Sequence, residues 1–200
     1  MEKRILGKDL EVSAIGLGCM GMSHAYGTVS TQKEAEQLVV KALDCGCTFF
    51  DTAEIYGTAD DPHHNEKLLG EVLKPYRNKI MLASKCGIRF DETATTVNKP
   101  LIPDGRPETI KASIDGSLQR LKTDHLDLYY IHRIDPTVPI EETAGAMKEL
   151  IEQFRKTSDV IESNIFNSVR NINLRTVIGY HKDDWEYNFL DDYDKYRKEE

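Results

Sequence analysis

The sequence predicts an α/β protein in which a parallel sheet is covered by helices. Two observations carry this reading. Short continuous apolar runs, "TFF" at 48–50, "IMLASKCG" at 80–87 and "LDLYYIH" at 126–132, lack the strict alternation of a half-solvated strand. Between them, apolar residues recur at helical spacing, so strand and helix alternate along residues 13–153.

Taken in order, the first element is "SAIGLGCMGMSHAYG" at 13–27, where Gly16, Gly18 and Gly21 have the G-x-G-x-x-G spacing of a dinucleotide-binding turn. Such a turn feeds at once into a helix whose N-terminus meets the pyrophosphate. Here "MSHAYGTV" intervenes, so the glycines are read as ending a strand and opening a loop. A first helix is expected from Thr31, which forms a capping-box pattern with Glu34 ahead of Ala35, Leu38, Val39, Ala42 and Leu43. The run at 48–50 closes on Asp51, and Asn65 is read as the cap of a second helix carrying Leu68, Leu69, Val72 and Leu73. The strand within 80–87 ends at Lys85. A long polar loop over 88–106 leads to Pro107 at a third helix start, with Ile110, Ile114, Leu118 and Leu121 as its buried stripe. After the strand at 126–132, Ile140, Ala144, Met147 and Ile151 give a fourth helical face.

The 200 residues suffice for one well-buried core. A net charge of −8 argues against a nucleic-acid partner, whose binding rests largely on Lys and Arg. No run approaches the roughly 20 apolar residues that span a bilayer, and the N-terminus lacks the apolar core of a signal peptide, so a cytoplasmic protein is expected. Cys19, Cys45, Cys47 and Cys86 lie in or beside apolar runs and are read as buried free thiols. No metal site is expected; His63 and His64, next to acids on a polar stretch, are read as solvated.

Asp51, Lys85 and His132 each stand at the C-terminal end of a separate apolar strand. Singly, each has an ordinary structural explanation: a capped loop, a snorkelling amine, a satisfied core imidazole. Together they repeat a position, and in parallel α/β folds the carboxyl ends of the strands form the active-site face. Tyr56, in the loop "DTAEIYG", is close enough to reach the same rim. These four side chains suit delivery of a proton to a carbonyl oxygen. An ammonium stabilises a phenolate, a carboxylate holds the ammonium, and an imidazole can orient the carbonyl. A hydride donor is the natural complement.

At these residues the sequence resembles the aldo-keto reductase family. The matching segments are "GLGCMGMS" at 16–23, "FFDTAEIYG" at 49–57, "LASKCG" at 82–87, "SLQRLKTDHLDLYYIHRID" at 117–135 and "PIEETAGAMKELIEQ" at 139–153. The resemblance implies a (β/α)₈ TIM barrel, here expected to be truncated to about four or five βα units, with a (βα)₄ portion in 1–153 and a divergent, acidic and aromatic helical tail at 154–200. It also implies NADPH-dependent reduction of aldehydes or ketones, with Tyr56 as proton donor, Lys85 easing release of that proton, Asp51 paired with Lys85 and His132 orienting the substrate. Gly21, Met22 and Asp51, together with Ser163 and Asn164, which resemble the family's Ser-Asn pair at the end of a fifth strand, would then meet the cofactor.

After Gln153 the family pattern stops. No basic segment suited to a 2′-phosphate follows, and residues 181–200 carry eight acids against four bases. Trp185, Phe189, Tyr193 and Tyr196 recur there at helical spacing, which predicts a helix with an aromatic stripe. Two functions therefore stay open: a reductase of carbonyl substrates, with self-association to cover an open barrel, and a catalytically silent relative that persists as a half-barrel or binds a partner.

Overall fold

The computed structural model describes residues 1–6, 10–25, 27–96, 99–155, 180–182 and 185–187. The chain enters through an antiparallel hairpin, β1 (Lys3–Leu6) and β2 (Leu10–Ser13), and then alternates. Strand β3 (Leu17–Gly18), helix α1 (Gln32–Asp44), strand β4 (Phe49–Asp51), helix α2 (His64–Leu73) and strand β5 (Met81–Cys86) follow one another. A second hairpin, β6 (Ile88–Phe90) and β7 (Leu101–Pro103), precedes α3 (Pro107–Leu121), β8 (Leu128–Ile131) and α4 (Ile140–Arg155). Strands β3, β4, β5 and β8 pair in parallel in that order, each beside its predecessor, as successive strands of a βα barrel do.

The two-residue period of the strands sorts their side chains onto two faces. Phe50, Leu82 and Cys86 join the helix-side core with Val39, Leu69 and Ile110, all at most 1% exposed. On the opposite face Phe49, Met81, Ala83 and Leu128 pack with Leu10 and Val12, so the N-terminal hairpin floors the strand starts. Asp51 and Lys85 continue that inward row beyond the floor, at the carboxyl ends of their strands.

Helix α1 starts as the pattern foretells: Thr31 Oγ1 accepts from the Glu34 N–H at 3.3 Å, and Glu34 Oε2 accepts from the Thr31 N–H at 2.8 Å. Helices α2 and α3 approach closely at Gly70, where a Cβ would stand 2.1 Å from the carbonyl oxygen of Arg120.

Several sequence expectations are corrected. The stretch 88–106 is no plain loop: Ile88 and Phe90 alternate with Arg89, bury on one side, and pair with 101–103, while Arg89 reaches Asp104 at 2.9 Å. The buried seam of α4 is Thr143, Ala146 and Leu150, the side that meets α3; Ile140 is 47% exposed and Ala144 is exposed. Leu38 likewise points outward while Ala35 and Val39 bury. Cys45 is exposed, whereas Cys19, Cys47 and Cys86 are buried. Trp185 lies in a strand, β10 (Trp185–Tyr187), paired antiparallel with β9 (Tyr180–Lys182), where a helix was expected. Phe189, Tyr193, Tyr196, Ser163 and Asn164 lie outside the described residues.

No helix among the described residues is long and apolar enough to cross a membrane.

Candidate active site

Four of the residues singled out in the sequence meet at one rim. The Lys85 ammonium donates to Asp51 Oδ1 at 2.5 Å, to the Thr52 carbonyl at 2.7 Å and to the Tyr56 hydroxyl at 3.2 Å, which uses its three N–H bonds. It stands 4.9 Å from the centroid of the Tyr56 ring. Tyr56 is only 8% exposed, and the loop fixes it: its N–H donates to the Ala53 carbonyl and its own carbonyl accepts from the Asn65 N–H. The His132 ring meets Tyr56 edge-on, with centroids 5.6 Å apart at 83°.

Burial, with the positive charges of Lys85 and Arg133, lowers the pKa of His132 and favours the neutral imidazole. Its Nδ1 is buried and has no partner among the described residues. A buried N–H without an acceptor is the rarer defect, which places the proton of the neutral ring on Nε2 and makes that atom a donor.

Behind the rim lies a cluster of acids that the sequence reading missed. Glu66, fully buried, accepts from Arg120 Nε at 2.7 Å and from the Ser84 hydroxyl at 2.5 Å. Glu54 accepts from the Gly87 N–H at 3.2 Å, while its own N–H donates to the Lys85 carbonyl, so it clasps the end of β5 on both sides of Cys86. Arg120 reaches Glu54 only at 3.9 Å. Burial pushes the Glu54 carboxyl up to about 7, with the Glu66 charge adding to it.

That shift has a sign in stability. Below the ordinary carboxyl value of 4.5 the folded and unfolded chains both hold the proton. Between 4.5 and about 7 only the folded chain keeps it, so stability falls as pH rises, and above 7 the loss is complete. At roughly 1.4 kcal/mol per pH unit the loss is about 3 kcal/mol. Urea unfolding at about pH 5 and about pH 8 is expected to show the parent chain losing stability relative to Glu54→Gln as pH rises, a difference that cancels the opposite contribution of His63 and His132, whose lowered pKa values both chains share.

Other side chains sit differently from the sequence expectation. Asn65 does not cap α2; it lies inside the first turn, fully buried. Its Nδ2 donates to the Cys19 carbonyl and the Ser23 hydroxyl, both at 2.9 Å, and its Oδ1 accepts from the Thr52 hydroxyl at 2.6 Å. Asn65 therefore ties the turn at Met20–Met22 to the residue after Asp51. The two histidines are half-buried rather than solvated, because polar atoms of neighbouring loops hold them. His63 Nδ1 donates to the Glu54 carbonyl at 2.6 Å, and His64 Nδ1 lies 2.9 Å from the Ser23 hydroxyl. Met22 is a core residue, 4% exposed, with its N–H and carbonyl bonded to Cys19 and Ser30, and only Gly21 of that pair faces solvent. Burial raises the Cys19 and Cys86 thiols to about 12, so both stay protonated. Among the described residues no three His, Cys, Asp or Glu side chains converge as a metal site.

The site is thus a tyrosine wired to a lysine, a lysine wired to a carboxylate, and a neutral imidazole beside them. Residues 14–153 match the Aldo/keto reductase family. An aldo-keto reductase of Gibberella moniliformis is 43% identical over 155 residues, which are 76% of this chain and 44% of that protein. The holo form of an aldo-keto reductase from Bacillus halodurans superimposes with a TM-score of 0.64 at 36% identity, over 76% of this chain and 47% of that one. The chain thus spans less than half the length of either relative. Because the family match runs through every strand of the parallel sheet and through Asp51, Tyr56, Lys85 and His132, the chain belongs to the aldo/keto reductase family.

Proposed function

We propose that this chain carries the carbonyl-reducing site of an NADPH-dependent oxidoreductase. The observation that supports this most is the unbroken contact from Asp51 through Lys85 to the Tyr56 hydroxyl, with His132 alongside.

The residues present fit the reacting end of a nicotinamide cofactor. An added Cβ at Gly18, which pairs in register with Asp51, would meet nothing within 4 Å, so there is open space beside the carboxylate. Asp51 is a third exposed, and among the described residues only its Oδ1 is bonded. Gly21 and Asp51 are the residues that would hold the cofactor here. When bound, a dihydronicotinamide supplies the hydride that adds to the carbonyl carbon.

The protein's own work is the proton. His132 Nε2–H donates to the carbonyl oxygen and fixes its position over Tyr56. As negative charge grows on that oxygen, the Tyr56 hydroxyl transfers its proton to it and the C=O becomes an alcohol. The phenolate left behind faces the Lys85 ammonium, which stabilises it until solvent returns a proton. Asp51 and the Thr52 carbonyl hold the ammonium and aim it, and the low exposure of Tyr56 strengthens each of these interactions.

The test is direct. Purified protein, NADPH and an aromatic aldehyde are expected to give aldehyde-dependent loss of the reduced-nicotinamide absorbance with a matching amount of alcohol. No alcohol at any cofactor concentration would favour the non-catalytic reading instead.

A further inference from the structure

We propose that His24 is a specificity-determining residue that selects carbonyl substrates bearing a hydroxyl on the adjacent carbon. The inference rests on the reductase reading and goes beyond it. His24 lies in the loop after β3, and its ring stacks on Tyr56 with centroids 6.0 Å apart at 23°. Its Nδ1 is 2.6 Å from the Gly57 carbonyl oxygen. That oxygen can only accept, so Nδ1 carries the proton, and in the neutral ring Nε2 has a bare lone pair. Nε2 makes no hydrogen bond among the described residues and is not among their buried unpartnered atoms, so it keeps access to solvent on a ring that stacks against Tyr56. His24 is also close enough to His132 for the two rings to interact electrostatically.

Tyr56 is therefore flanked by two imidazoles locked in opposite senses. His132 offers an N–H on Nε2 because its Nδ1 is buried without a partner; His24 offers a lone pair on Nε2 because its Nδ1 donates to backbone. A plain aldehyde or ketone has no hydrogen to give His24. A 2-hydroxy carbonyl presents an acceptor and a donor side by side, and can satisfy both rings at once. Its hydroxyl would donate to His24 Nε2 while its carbonyl oxygen accepts from His132 and Tyr56. The stack on Tyr56 and the bond to Gly57 hold the acceptor still, which is what makes a single hydrogen bond selective.

Hydroxyacetone and butanone make a matched pair, since a hydroxyl in one replaces a methyl in the other. Side-chain nitrogen NMR is expected to show His24 as the Nδ1–H tautomer, with an Nε2 signal that moves on adding hydroxyacetone and not on adding butanone. In turnover, the ratio of kcat/KM for hydroxyacetone over butanone is expected to fall about tenfold or more in His24→Phe, which keeps a ring against Tyr56 and removes the acceptor. An Nε2 signal indifferent to both ketones, equal movement with both, or an unchanged ratio in the variant would overturn the assignment. A selective Nε2 response with no turnover of either ketone would instead count against the reductase reading and, by leaving His24 only as a binder of 2-hydroxy carbonyls, overturn its role in choosing substrates.

Discussion

Tyr56→Phe is expected to lower carbonyl reduction by about 10²–10⁴-fold, the usual worth of a positioned general acid. The substitution removes one oxygen and leaves the ring that packs with Ala53, Ile55, Ile88 and Phe90. Lys85 keeps its bonds to Asp51 and Thr52, so the ammonium stays in place with nothing to stabilise. The loss should appear in kcat, because the proton moves in the transition state and the ground-state contacts of a ketone change little. An unaltered urea midpoint would separate this from unfolding. A variant with undiminished kcat would show that the proton comes from elsewhere.

Arg120→Met is expected to destabilise the fold by about 3–5 kcal/mol, because it strands a buried carboxylate. Glu66 has no exposed surface, and after the substitution the Ser84 hydroxyl is the one group among the described residues that still donates to its side chain. Glu54 loses its nearby positive charge at the same time. The decisive comparison is Arg120→Met combined with Glu66→Leu, which removes the charge pair as a unit. It should recover much of the stability, since apolar replacements of buried ion pairs are often neutral. Urea midpoints of the two variants measure this, and equal losses would mean that Arg120 acts through packing alone.

Much of this arrangement is legible in the sequence because strand ends and helix starts leave local signatures. Asp51, Lys85 and His132 announce themselves as polar residues closing apolar runs, and the Thr31–Glu34 pair is a complete cap within four residues. What escapes is long-range. Asn65 reads as a cap, yet its spacing to Leu68, Leu69 and Val72 puts it on the buried stripe of α2, and that spacing is the signal that it serves the core. Glu66 shares the stripe but has meaning only opposite Arg120, 54 residues later. His24 has no periodicity to mark it, and its tautomer is set by a backbone oxygen 33 residues away. The outward turn of Ile140 and Ala144 depends on α4 meeting α3 with its other side, which hydrophobic spacing alone does not specify.

Gly70 joins these threads. The hydrogen at that position lets α2 and α3 lie near enough for Arg120, carried by one helix, to grip Glu66, carried by the other. Arg120 in turn moderates the charge of Glu54, whose backbone N–H holds the Lys85 carbonyl. The gap between the two helices thus works as a ruler. It sets how strongly a guanidinium on the outer layer is felt at the strand that presents the ammonium, and a single methyl group at residue 70 would lengthen it.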